Sequence, residues 1–217
     1  VEFGRIVGRN MASLTDCLVI GESIPAGTTT ALAVLRAFGF DAKVSSSIPT
    51  NPTKLKNEIV DSALKRIDSD HPYSVLAKVG DPMIAFVAGM LSSASSVSKV
   101  MLAGGTQMTA VLAFASKIGF NEENTAIGTT SYITNDQNAN FTNVVKQIAD
   151  IPAISVNPGL NNSKYSGLKA FSEGFGKEGA GAGGSIISSM LKTGNNSAKF
   201  LNLAEQEYDR LTTLSGT

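Results

Sequence analysis

Val19-Ile20-Gly21-Glu22-Ser23-Ile24-Pro25-Ala26-Gly27-Thr28-Thr29-Thr30-Ala31 joins an apolar run to a helical pattern through a loop bracketed by glycines. Gly21 and Gly27 allow a sharp turn and the close approach of a ligand. The helix expected to begin near Thr28 presents first-turn N–H groups that lack partners within the helix and carry the positive end of its dipole. A strand-to-helix loop of this kind builds an anion site, and three successive threonines add hydroxyl donors at its mouth. Glu22 distinguishes it from an ordinary phosphate loop, because an acid beside a bound anion repels it unless the acid serves the chemistry. Spacing alone leaves a tight turn with a solvated Glu as an equal reading.

Outward from this stretch, apolar runs alternate with helix-period segments along the chain. That pattern predicts an α/β fold: a parallel, doubly wound, Rossmann-like sheet with helices on both faces. Strands are expected at Cys17 to Ile20, Ala42 to Ser45, Lys99 to Ala103, Thr125 to Gly128 and Ala153 to Val156. Helices are expected at Thr28 to Phe38, after the Asn51-Pro52 cap, at Met83 to Ser95 after Asp81-Pro82, at Gln107 to Ser116 and at Asn140 to Asp150. After Asn51-Pro52, the residues Leu55, Ile59, Val60, Ala63, Leu64 and Ile67 mark one packing face. Beyond Asn157-Pro158-Gly159 only helical segments follow, at Lys164 to Phe175, Gly181 to Leu191 and Ser197 to Leu214. The chain therefore divides into a nucleotide-binding core over residues 1–160 and a helical portion over 161–217. Open α/β sheets bind ligands at the carboxyl ends of their strands, and Gly104-Gly105-Thr106 forms a second glycine loop at such an end.

The 217 residues are ample for a buried core, and 18 basic residues balance 18 acidic ones. A broad nucleic-acid surface needs a basic excess, so no nucleic-acid partner is expected. One cysteine and one histidine leave no disulfide framework and no His/Cys zinc site. The longest apolar run, Met83 to Leu91, is far short of the roughly 20 residues of a membrane helix. A cytoplasmic protein with no membrane partner, no cofactor and no metal is the expectation.

Near the C-terminal side stands Glu173-Gly174-Phe175-Gly176-Lys177-Glu178-Gly179-Ala180-Gly181-Ala182-Gly183-Gly184-Ser185. So many glycines at a helix start are entropically costly, and close approach to a ligand accounts for them. Together the motifs resemble the nicotinate-nucleotide-dimethylbenzimidazole phosphoribosyltransferase family, and more closely its archaeal branch. The resemblance rests on Gly21-Glu22 with Thr28-Thr29, on Val100-Met101-Leu102-Ala103-Gly104-Gly105, and on Glu178-Gly179-Ala180-Gly181-Ala182, in that order. Val79-Gly80-Asp81-Pro82-Met83-Ile84-Ala85 with Ala88-Gly89-Met90-Leu91 is similar to the family's central helix. Bacterial members have an Asp where this chain has Ala103. The family's phosphate-side lysine has no clean counterpart, with Lys54 and Lys56 in the right region but slightly out of register. Family members extend further at the N-terminus, in a part that helps enclose the benzimidazole, so the resemblance implies a chain that holds the nucleotide side of the site.

The resemblance implies a metal-independent, inverting transfer of ribose phosphate from nicotinate mononucleotide to a benzimidazole-type base, in the assembly of the cobalamin lower ligand, by a homodimer. Nicotinate leaves as a pyridine and needs no proton donor, whereas the attacking base loses a ring proton. One carboxylate with a raised pKa covers that transfer. By resemblance the general base is Glu178, with Glu22 facing the positive centre, and Gly21, Gly27, Thr28, Thr29, Gly104, Gly105, Thr106, Gly179 and Gly181 hold phosphate and ribose. A non-catalytic nucleotide or phosphosugar binding protein stays open as the alternative. A dinucleotide oxidoreductase is disfavoured, since no Gly-x-Gly-x-x-Gly follows the first strand. His71 reads as a surface residue, Cys17 as core, and Lys177 as a solvated charge or a phosphate partner.

Overall fold

The computed structural model of the protein describes residues 1–24, 27–177 and 181–214. Among them, four parallel strands, β1 (Cys17–Gly21), β2 (Lys99–Ala103), β3 (Thr125–Thr130) and β4 (Ala153–Val156), lie in the order β1-β2-β3-β4. The parallel α/β sheet is the one that the alternating pattern predicts. Its strands follow one another in a single direction, and right-handed crossovers then put every crossover helix on the same face. That face carries α2 (Gly27–Ala37), α3 (Thr53–Leu64), α4 (Pro72–Val79), α5 (Pro82–Ala94), α6 (Thr106–Ile118) and, after the short α7 (Ser131–Thr134), α8 (Phe141–Ile148). α6 sits at the centre, buried along its first ten residues.

Val100 and Leu102 of β2 point into this main core, while Met101 and Ala103 point to the other face. There, beyond the short α9 (Ser166–Ser172), α10 (Ala182–Thr193) lies across all four strands. α11 (Ser197–Leu214) ends the described chain, with its Tyr208 stacked on Tyr165 before α9. Helices on both faces are thus present, the second face being covered by the chain's C-terminal part.

Three local expectations are corrected. Ala42 to Ser45 forms no strand, although Ala42 and Val44 are buried in alternation. Its backbone is bonded to side chains instead: Lys43 N–H donates to Asn140 Oδ1 at 2.7 Å, Ser45 N–H to Thr106 Oγ1 at 3.3 Å, and the Val44 carbonyl accepts from Asn51 at 2.8 Å. Cys17 is exposed on the edge strand, not core. On α3 the buried positions are Lys56 and Val60, while Leu55 and Ile59 are exposed. The sequence reading also misses α1 (Glu2–Ala12), whose buried positions are Gly4, Gly8 and Ala12, the two glycines lying close against the α5 backbone at Phe86 and Met90, and α4, which His71 caps from an exposed position.

Candidate active site

The carboxyl ends of β1 and β2 meet the start of α10. Gly181 caps that helix at φ +67°, and a β-carbon on it would lie 3.0 Å from both the Gly21 Cα and the Ala103 Cβ. One turn on, a β-carbon on Gly184 would fall 2.6 Å from the Ala103 Cα, and one on Gly183 would strike the backbone of Thr129 and Thr130. These glycines let a helix lie directly on strand ends, the close helix–strand packing that only a missing side chain permits. The glycine density of the second motif, which the sequence credits to a ligand, therefore has a packing cause at 181, 183 and 184. The same contacts bring the loop after β1 against the end of β2, whose next residues are Gly104-Gly105-Thr106.

Within the loop after β1, the Glu22 carboxylate accepts the Ile24 N–H at 2.7 Å, which closes a tight turn and leaves the side chain half-buried. Two open cavities share Val19, Gly21, Glu22 and Ser23. One, of about 860 Å³, is apolar and faces α1 and α5, with Val1, Met11, Leu18, Ile20, Met83, Phe86 and Met90 among its walls. The other, of about 440 Å³, has walls about as polar as apolar and lies toward α10, with Ser185 and Ser188 on that side. Glu22 thus stands on the divide between a surface suited to a flat apolar ring and one suited to hydroxyls. Thr28 and Thr29 occupy the first turn of α2, partly exposed, and Gln107 of α6 packs against Gly27 and reaches the Ile24 carbonyl at 3.5 Å. Gly105 caps α6 without a side-chain bond, and Thr106 is buried with its Oγ1 turned to Ser45.

A second group joins Lys56 and Lys177, both named from the sequence, to Ser45 and Asp136, which were not foreseen. Lys56, 6% exposed, donates to the Ser45 carbonyl at 2.9 Å and to Asn51 Oδ1 at 2.8 Å. Asp136 accepts from Ser45 Oγ at 2.6 Å and from Lys177 Nζ at 2.8 Å. Burial lowers the Lys56 pKa; Asp136 raises it and Lys177 lowers it again. Burial pushes Asp136 up, but hydrogen bonds from Lys177, Ser45 and the Asn138 N–H outweigh it, so its carboxyl lies below the ordinary value. Lys177 is therefore neither a solvated charge nor a free phosphate partner. Lys54, by contrast, is exposed at the surface. The signal for Lys56 is its place four residues before Val60 and seven before Ala63, on the stripe that packs. Asp136 gives no such signal, since Thr134-Asn135-Asp136-Gln137 reads as an ordinary polar turn.

Glu178 and Gly179, expected as general base and ligand contact, lie outside the described residues, as do Pro25 and Ala26. Their neighbours Lys177 and Gly181 are the anchored ends of that stretch. Among the described residues no three His, Cys, Asp or Glu side chains are grouped as a metal ion would require, and no helix is long and apolar enough to cross a membrane.

A family model described as phosphoribosyltransferase matches residues 1–133, the part that carries Glu22, Lys56 and Gly104 to Thr106. A UPF0284 protein of Archaeoglobus fulgidus is 44% identical over 97% of this chain and 60% of its own length. One of Sulfurisphaera tokodaii is 44% identical over the same shares, and one of Methanothermobacter thermautotrophicus is 44% identical over 88% of this chain and 55% of its own. The chain spans about 60% of the length of the first of these curated relatives.

Proposed function

The chain belongs to the phosphoribosyltransferase family, and on that premise we propose that the full-length protein moves ribose phosphate from nicotinate mononucleotide to dimethylbenzimidazole or a related base. The products are nicotinate and α-ribazole phosphate, a precursor of the cobalamin lower ligand. The observation that carries this reading is the position of Glu22, at the strand ends between an apolar cavity wide enough for a fused ring and one of mixed lining beside the α10 serines. Apolar walls with a few convergent polar groups are the usual make-up of a small-molecule site.

In the proposed reaction a ring nitrogen of the benzimidazole attacks the anomeric carbon with its lone pair. The bond to nicotinate breaks, its electron pair returning to the pyridine nitrogen. The proton on the other benzimidazole nitrogen goes to Glu178 as general base, and the Glu22 carboxylate faces the carbon as positive charge develops there. The anomeric carbon is inverted, and no metal takes part. The phosphate is held by Lys56 and by backbone donors at Gly21, Gly27, Gly104, Gly105, Gly179 and Gly181, with hydroxyls from Thr28, Thr29 and Thr106 nearby. Residues 161–217 complete the site over a core at 1–160, in a cytoplasmic homodimer.

The test incubates the full-length protein with nicotinate mononucleotide and dimethylbenzimidazole, and separates the products by chromatography with mass detection. Release of nicotinate that depends on the benzimidazole is expected. Binding of the mononucleotide with no product from any benzimidazole would overturn the transfer and leave a phosphosugar binding protein.

A further inference from the structure

Ser45, Asp136 and Lys177 come from three segments far apart in sequence, and with Lys56 they form a buried cluster of charge at the edge of the site. The Asp136 side chain is only 4% exposed and Lys177 13%. The carboxylate receives Ser45 Oγ and Lys177 Nζ on one oxygen and the Asn138 N–H, at 2.9 Å, on the other. Lys56 is buried as deeply, yet its hydrogen bonds end on two neutral oxygens, the Ser45 carbonyl and Asn51 Oδ1. Among the described residues, two ammonium groups therefore share one carboxylate, and the cluster they form is net positive. An isolated ion pair would be complete with Lys177 and Asp136 alone. The second lysine is the part that packing does not explain, since a buried ammonium without a contacting anion is costly.

We propose that Asp136 is a positioning residue of the donor site, whose carboxylate holds Lys56 in its charged form and, through Ser45, in place to meet the phosphate. The inference rests on the reading above, in which Lys56 takes that phosphate. Asp136 touches none of the reacting atoms in it. Among the described residues, the charged groups facing Lys56 across the cluster are Asp136 and Lys177; Ser45 and Asn51 are neutral, and on its own helix Lys54 and Glu58 are exposed. Burial and Lys177 both favour the neutral amine, and Asp136 opposes them. With Asp136 neutralised, the two remaining influences act together. Lys56 then loses its proton at a lower pH and the phosphate meets an uncharged amine. Ser45 links the two halves physically, since its hydroxyl donates to Asp136 while its carbonyl receives Lys56.

The test uses the full-length protein as parent, Asp136→Asn, Lys177→Gln and the double variant. Affinity for nicotinate mononucleotide is followed by calorimetry from about pH 6 to pH 10, and Lys56 is titrated without ligand by the resonance of 13C-labelled lysine, assigned by its loss in Lys56→Arg. Asp136→Asn is expected to move both the alkaline loss of binding and the Lys56 midpoint down by about 1 pH unit or more, the usual effect of one close opposite charge. Lys177→Gln should not lower either. The double variant should return both most of the way to the parent, a rescue that a purely structural role for Asp136 would not give. Equal Lys56 midpoints in the parent and Asp136→Asn would overturn the inference. Should Asp136→Asn fail to fold, the double variant removes the stranded Lys177 charge along with Asp136 and is compared with Lys177→Gln, below which its midpoint must lie; equal midpoints overturn the inference. A parent that binds no nicotinate mononucleotide refutes the site reading, and the Lys56 titration still decides the charge link.

Discussion

Gly181 rests against Gly21, so close that a single added carbon on the first would lie 3.0 Å from the α-carbon of the second. The contact joins residues 160 positions apart and fastens the C-terminal part of the chain to the loop that carries Glu22. It is also the contact through which the second glycine motif meets the first.

Gly39 offers a control, because it too has positive φ (+86°) but nothing within 4 Å of an added β-carbon. Gly39→Ala should cost about 1 kcal/mol, the left-handed penalty alone. Gly181→Ala carries that penalty and the overlap with Gly21 and Ala103, and should cost about 2 kcal/mol more. Urea unfolding of both variants measures the difference. Equal losses would show that α10 does not lie on the strand ends.

Lys54 and Lys56 separate by burial, and their replacement by Met separates them by function. Lys56→Met should weaken nicotinate mononucleotide binding by about 10-fold to 100-fold, the worth of one charge-assisted hydrogen bond. Lys54→Met should leave it within about 2-fold, as expected for an exposed charge. Calorimetry at neutral pH reads both, and the reverse pattern would give the phosphate to Lys54.

For the proposed chemistry, Glu178→Gln keeps the size of the side chain and removes the proton acceptor. Turnover should fall by roughly 100-fold or more while mononucleotide affinity changes little. Glu22→Gln should also lower kcat, by about 10-fold or more, by withdrawing a charge from the developing positive centre. A Glu178→Gln protein at parental rate would move the base elsewhere.

The Lys177–Asp136 pair predicts a pH dependence of stability. Asp136 has a folded pKa below its ordinary value, so its contribution is complete above the unfolded pKa of about 3.9 and is lost as pH falls through the folded one. Asp136→Asn leaves Lys177 buried without its partner and should cost about 3 kcal/mol or more at pH 7. The gap between variant and parent should narrow as pH falls below about 4. Unfolding curves at pH 7 and pH 3 that show the same gap would refute the pairing.

The strands at 99–103, 125–128 and 153–156, the cap at 81–82, and the glycine turns that follow residues 20 and 103 are legible in the sequence because each is a local matter; at 51–52 the sequence announces the helix, but Pro52 and not Asn51 is its N-cap, and the Asn51 side chain bonds Val44 and Lys56 instead. Apolar runs, turn glycines and first-turn prolines favour the same local structure wherever the segment packs. Short range also explains the misses. Ala42 to Ser45 alternates like a strand, but a strand needs a neighbour, and here Thr106, Asn140 and Asn51 side chains take its backbone bonds.

What the sequence determined alone was the parallel α/β framework and the glycine turns at the ends of β1 and β2, the first of them carrying Glu22. Tertiary structure decided which lysine went inside, that Lys177 met Asp136 across 41 residues, and that the glycines of the second motif touched strands. Those outcomes depend on the order β1-β2-β3-β4, which leaves one sheet face to α10 and thereby sets what its first turn approaches. Periodicity reports which face of a segment is apolar, whereas the partner that covers that face, and the charges buried with it, follow from how the crossovers wind.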